Sequence, residues 1–180
     1  MPVHSLGRIR KSITYEACEK LIHALVTSRL DCGNGNLFGL PDFQNYRLQK
    51  ILNIAARILT LSPPSCSITS ILIHLLWLSI EKRIEYKILL LTFKATHNLA
   101  PRYICDLLKP YPTPRLLRSS DENFLAIPQS RTKTYGDRAF SVAAPKLWNA
   151  LPDELRYINE LGHFKSRLKT HLFKTCYNKV

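Results

Sequence analysis

The chain has 180 residues and is 46% hydrophobic, enough to bury a core and too apolar for a disordered segment. Twenty-six Lys and Arg face thirteen Asp and Glu, and the excess is spread evenly: residues 1–60 hold 8 basic and 4 acidic groups, 61–120 hold 8 and 3, and 121–180 hold 10 and 6. This excludes a neutral body with a basic tail, and a formal charge of +13 favours a polyanionic partner, with nucleic acid the commonest.

The first predicted helix covers Ser12 to Asp31, with Ser12 or Thr14 as its cap and Glu16 in its first turn. Ala17, Leu21, Ala24, Leu25 and Ser28 fall on one stripe at helical spacing. Gly33, Asn34, Gly35 and Asn36 break the chain into a loop. Pro41 and Asp42 open a second helix to about Leu61. Its apolar positions are Leu48, Ile51, Leu52, Ala55, Ala56, Ile58 and Leu59. Arg47, Lys50, Asn53 and Arg57 occupy the other side, so three cations form a ladder that serves either as a solvated face or as a phosphate contact. Pro63-Pro64 ends this helix. A short apolar helix from Ser67 or Thr69 through Trp77 follows. A longer one runs from Ile80 to about His97, with Ile84, Ile88, Leu91 and Ala95 as its stripe and Leu89 and Phe93 widening it. Pro101 suits a first helical turn that Tyr103 to Leu108 continues.

The character changes at Pro110. Pro110, Pro112 and Pro114 predict an extended link. Between Leu116 and Val142 the period is no longer helical. The run Phe124–Ile127 and the turn signal followed by Phe140-Ser141-Val142 predict a small hairpin. Pro145 opens a short helix to Leu151, and Pro152 stops it. A last helix runs from Asn159 or Glu160 to about Tyr177, with Leu161, Phe164, Leu168, Leu172 and Cys176 inside and Lys165, Arg167, Lys169, Lys174 and Lys179 outside. The expected fold is therefore mainly α: a helical bundle over 1–109, then a basic region over 110–180 holding the Pro-rich link, the small β-hairpin element and a C-terminal helix.

A search for chemistry is mostly negative. A polymerase palm needs clustered carboxylates to hold two divalent metals. The adjacent acidic pairs are Asp121-Glu122, which reads as a turn, and Asp153-Glu154, which suits the start of a helical turn. No phosphate-cradling glycine loop is present. Cys18, Cys32, Cys66, Cys105 and Cys176 are odd in number and form no CxxC pair, so free thiols in a reducing compartment are expected. His23, His74 and His97 stand alone on their helices. The run Ile68–Ile80 is too short to span a membrane. The expectation is a soluble intracellular protein, nuclear or cytoplasmic, with no cofactor, no metal and no small-molecule substrate. The segment from Thr113 to Arg138 is the best candidate for direct contact, since Arg115, Arg118, Arg131, Lys133 and Arg138 lie among hydroxyl side chains that suit phosphate and sugar oxygens. Tyr135 either stacks on an unpaired base or belongs to the core.

Several stretches together resemble the region downstream of the polymerase core in LINE-type (non-LTR) retrotransposon reverse transcriptases. They are Gly7–Lys11, Glu16–Leu21, Val26–Asp31, Gly39–Pro41, Arg47–Lys50, Asn53–Arg57, Arg83–Ile88, Phe93–Ala95, Leu99–Pro101, the long run Arg131–Asn149, and Phe164–Thr170. The resemblance implies a thumb and its extension that grip a template–primer duplex, followed by an accessory tail that binds RNA or DNA. An endonuclease and an RNA-directed DNA polymerase would precede it in the parent protein. By that analogy Arg47, Lys50 and Arg57 join the segment 115–138 as sequence-nonspecific nucleic-acid contacts, and the cation face of the last helix adds Lys165 and Lys169. The chain departs from the family at Asp31-Cys32-Gly33-Asn34, where Asp-Tyr-Cys-Asn is usual, and at Leu76-Trp77-Leu78-Ser79, where His-Trp-Leu-Pro is usual. These departures imply a truncated or decayed copy. The alternative expectation is therefore a helical relic that is inert or makes protein contacts only.

Overall fold

The structure, a computed structural model, describes residues 2–112, 123–130, 132 and 135–177, with side chains from Ser5 onward. The described residues are mainly helical, and among them no helix is long and apolar enough to cross a membrane. They divide into two compact units, residues 1–84 with 173–180 and residues 85–172. The change of sequence character at Pro110 falls inside the second unit.

In the first unit, α1 (Pro2–Ile9) leads through a 3-10 turn into α2 (Tyr15–Ile22). Thr14 caps α2, its hydroxyl accepting the Ala17 N–H at 3.3 Å. The expected single helix to Asp31 is interrupted by a π-helical turn over His23–Thr27 before α3 (Ser28–Asp31). The buried stripe is Cys18, Ile22 and Val26, while Ala24 and Ser28 are exposed. The inner face is thus rotated from the expected one. Cys18, Ile22 and Val26 repeat every four residues, and the wider π turn keeps Val26 inward. Gly33 then takes a left-handed conformation (φ 65°) that a side chain would strain.

The next helix, α4 (Asp42–Thr60), buries Leu52, Ala55, Ala56 and Leu59 as its spacing predicts. Its C-terminus is closed by Arg10. This side chain is only 8% exposed and donates from Nε to the Ile58 carbonyl (3.0 Å), from Nη2 to Leu59 (3.0 Å) and from Nη1 to Ile13 (3.1 Å). A buried guanidinium over two last-turn carbonyls satisfies orphan acceptors and meets the negative end of the helix dipole. After α4 come α5 (Ile68–His74) and the start of α6 (Ile80–Thr96). Arg83 ties this start to α3, reaching Asp31 at 2.9 Å and the Leu78 carbonyl at 3.2 Å. Trp77 is buried, and its carbonyl accepts the Tyr177 hydroxyl at 2.7 Å.

The second unit centres on an aromatic stack. Phe93 of α6 lies 4.2 Å from Phe164 of α10 (Leu161–Tyr177), ring centre to ring centre, and Trp148 of α8 (Phe140–Asn149) is 5.9 Å from Phe164. All three are fully buried. The single turns α7 (Arg102–Cys105) and α9 (Asp153–Arg156) follow Pro101 and Pro152, each proline standing just before its helix. Arg156 pairs with Asp153 and lies 4.0 Å over the Phe124 ring.

The hairpin expectation needs correction. Among the described residues there is no strand, only an isolated bridge between Pro110 and Leu125. Phe140-Ser141-Val142 begins α8 instead of a ribbon, because Val142, Ala143, Ala144 and Trp148 together form a helical inner face. Pro145 sits within that helix, not at its start, leaving the Ser141 carbonyl without the usual N–H donor. The extended run at Leu125 is held by a side chain: Asn149 accepts the Leu125 N–H (2.9 Å) and donates to its carbonyl (2.8 Å). Trp148 adds an Nε1–H bond to the Asn123 carbonyl at 2.9 Å. The rest of the expected link and hairpin, residues 113–122, 131, 133 and 134, lies outside the described residues.

Candidate nucleic-acid interface

On α4 the cation ladder divides. Arg57 is half-buried and turned to the backbone, its guanidinium donating to the carbonyls of Pro63 (2.6 Å) and Cys66 (2.9 Å). It clamps the Pro63-Pro64 turn, which the sequence does not reveal. Asn53 accepts from the Gln49 amide at 2.8 Å. Arg47 and Lys50 are exposed and, among the described residues, have no hydrogen bond or ion pair. Just N-terminal to them on the same stripe stand two aromatic rings, Phe43 (60% exposed) and Tyr46 (69% exposed).

Positions 43, 46, 47 and 50 follow the i, i+3, i+4, i+7 pattern and so share one face. At about 100° per residue they lie opposite the buried stripe of Leu52, Ala55, Ala56 and Leu59. The helix therefore has two apolar stripes, one facing its own core and one facing solvent with two cations beside it. Flat rings next to free cations offer stacking and phosphate attraction together, a combination that can serve single-stranded nucleic acid. Sequence reasoning passed over Phe43 and Tyr46, although their spacing to Arg47 and Lys50 was visible.

In the second unit Tyr135 is 78% exposed, which removes the core alternative. A hydrogen-bonded turn presents it. The Ser130 hydroxyl donates to Asp137 (2.7 Å), the Gly136 N–H to the Thr132 hydroxyl (3.0 Å), and Lys146 pairs with Asp137 (3.3 Å). A Cβ at Gly136 would stand 3.0 Å from Ser130 Oγ and 3.1 Å from Thr132 Oγ1, so a larger residue crowds this turn. Arg138 is half-buried in the same 3-10 turn. Arg115, Arg118, Arg131 and Lys133 lie outside the described residues.

On α10 the inner stripe is Phe164, Leu168 and Leu172, as expected. Lys165 and Lys169 are exposed one turn apart, and Arg167 donates to His163 at 3.3 Å. The 17 residues of α10 include no Asp or Glu, so these cations are unscreened along the helix. Among the described residues no three His, Cys, Asp or Glu converge as metal ligands, and all five cysteines are free thiols. Burial raises the Cys18 thiol above its ordinary range, with Arg10 opposing the shift.

No protein-family model, no curated protein and no solved structure matches this chain.

Proposed function

We propose that the chain is a non-catalytic nucleic-acid-binding module, corresponding to the thumb and post-polymerase region of a LINE-type reverse transcriptase. It binds RNA or template–primer with weak sequence preference, through phosphates and through stacking of unpaired bases. The observation that carries this reading is the solvent-facing stripe of Phe43, Tyr46, Arg47 and Lys50. The +13 charge and the acid-free α10 support it. On this reading the polymerase and endonuclease chemistry belongs to other parts of the parent protein, and the chain extends no primer with Mg²⁺ or Mn²⁺.

The test is a filter-binding titration over several salt concentrations beside an unrelated protein of equal charge. If four to six phosphates are neutralised, log affinity falls with log salt at a slope of about −3 to −5. The chain should also bind more tightly than its charge-matched control at every salt concentration. Coincident curves for the two proteins overturn the proposal.

One observation favours the second reading, a decayed relic restricted to protein contacts. Leu76 is 61% exposed and takes a left-handed conformation (φ 54°), where the resembled family usually carries His. His, like Asn, is enriched at such positions, whereas an exposed leucine there combines backbone strain with apolar exposure. The relic reading predicts the coincident curves.

A further inference from the structure

The first unit holds a cavity of about 630 Å³ that none of the residues assigned above to nucleic-acid contact helps to form. Arg10 lines it, together with the side chains of Tyr15, Ser62, Ser67, Ser70 and His74. No Asp or Glu lines it. We propose that this cavity binds a phosphate monoester, with the phosphate against Arg10 and the serine hydroxyls and the organic group against Ile71 and the ring of Tyr15.

Arg10 is buried without a carboxylate partner among the described residues. A buried cation without a counter-anion is costly unless hydrogen bonds or an anion compensate it. Three of its five N–H bonds go to the carbonyls of Ile13, Ile58 and Leu59, which leaves two donors for an incoming oxyanion. Those same bonds cover the two α4 carbonyls that would otherwise repel an anion. The Thr60 hydroxyl is likewise turned to the Ala56 carbonyl (3.0 Å) and to Ser62 (2.8 Å).

The hydroxyls of Tyr15, Ser67 and Ser70 have no partner among the described residues. Hydroxyls around a forked guanidinium form the donor set that phosphate oxygens prefer. Ile71 and the exposed Tyr15 ring supply apolar wall, and the open site's volume exceeds what a bare phosphate fills. This inference stands apart from the nucleic-acid reading, since it uses none of the α4 stripe.

Cys66 lines the cavity and is exposed, whereas Cys32 is exposed and does not line it. Alkylation of the full-length chain by iodoacetamide, followed by peptide mapping, reads the two thiols side by side. The probes are inorganic phosphate, a nucleoside 5′-monophosphate, a 5′-phosphorylated oligonucleotide and the same oligonucleotide with a 5′-hydroxyl, with chloride at equal ionic strength as the reference. With monophosphate at ten times Kd the unliganded fraction is about one eleventh, so Cys66 should react about tenfold more slowly and Cys32 at its reference rate. Protection by the free monophosphate assigns a small organic phosphate. Protection by the phosphorylated oligonucleotide at lower concentration, but not by its hydroxyl form, assigns a nucleic-acid end. Ser67→Ala with Ser70→Ala changes only exposed or cavity-facing hydroxyls and should weaken the protection in a chain of unaltered helicity. Unchanged Cys66 reactivity with all the phosphate probes, protection by the hydroxyl-ended oligonucleotide equal to that by the phosphorylated one, or full protection retained in the double-serine variant each overturn the proposal.

Discussion

Arg10→Met removes the clamp on the end of α4 while keeping an apolar stem of similar reach. Three hydrogen bonds are lost, two of them to last-turn carbonyls of α4. Bonds from a charged donor contribute about 1.5–3 kcal/mol each, and a cation at a partly buried helix C-terminus contributes up to about 2 kcal/mol. The full sum overstates the loss, because the adjoining cavity admits water to the freed carbonyls and the methionine stem preserves packing. The expected cost is therefore about 2–4 kcal/mol. In a chain of this size that lowers Tm by about 5–15 °C. Arg10→Lys keeps the charge over the helix end but loses the fork, so it should fall about midway. Urea unfolding followed by circular dichroism measures both variants. A cost for Arg10→Met below about 1 kcal/mol, or a lysine variant as unstable as the methionine one, refutes the capping role assigned to the fork and its charge.

Phe164→Ala should cost about 3–5 kcal/mol, since a fully buried ring stacked on Phe93 and tilted against Trp148 is deleted; calorimetry on the variant checks it. Leu76→His should stabilise the chain by up to about 1 kcal/mol, because it relieves a left-handed leucine and removes exposed apolar surface, and a chemical melt reads the sign. Burial holds the Tyr177 hydroxyl protonated above its ordinary value of 10.0, and the Cys18 thiol above 9.0. The unfolded chain therefore loses these protons first, so the contribution of these two groups to stability is constant below about pH 9 and is lost as pH rises beyond it. Tyr177→Phe should make that alkaline fall shallower in a pH series of melts.

Much of the helical plan was legible because it rests on periodicity. In α4, α6 and α10 the buried stripes recur every three or four residues, and prolines at 101 and 152 mark helix starts, where a missing N–H costs no helix bond. Legibility failed where one residue's partner is distant in sequence. The π turn at His23–Thr27 depends on keeping Val26 in the core. The turn at Leu125 depends on an amide side chain 24 residues away, and Arg10 reaches carbonyls 48 and 49 residues on. Phe140-Ser141-Val142 looked β-prone by residue type, yet the alanines and tryptophan that follow give those residues a helical inner face. The candidate interface was half legible. Cations announce themselves by charge, but only burial separates Arg57, spent on a backbone turn, from Arg47 and Lys50, which stay in solvent beside two exposed rings.

The central claim concerns that solvent-facing stripe, and fluorescence-anisotropy binding of a single-stranded RNA by three proteins tests it most directly. These are the unaltered chain, Phe43→Ala with Tyr46→Ala, and Arg47→Ala with Lys50→Ala, each at several salt concentrations. Loss of two stacking rings at about 1 kcal/mol or more each should weaken binding by at least about 30-fold with little change in salt slope. Loss of the two cations should flatten the slope by about two units if each meets a phosphate. Circular dichroism should show both variants fully folded, since all four side chains are exposed. Unaltered affinity in the aromatic variant, together with an unaltered slope in the cation variant, would contradict the account.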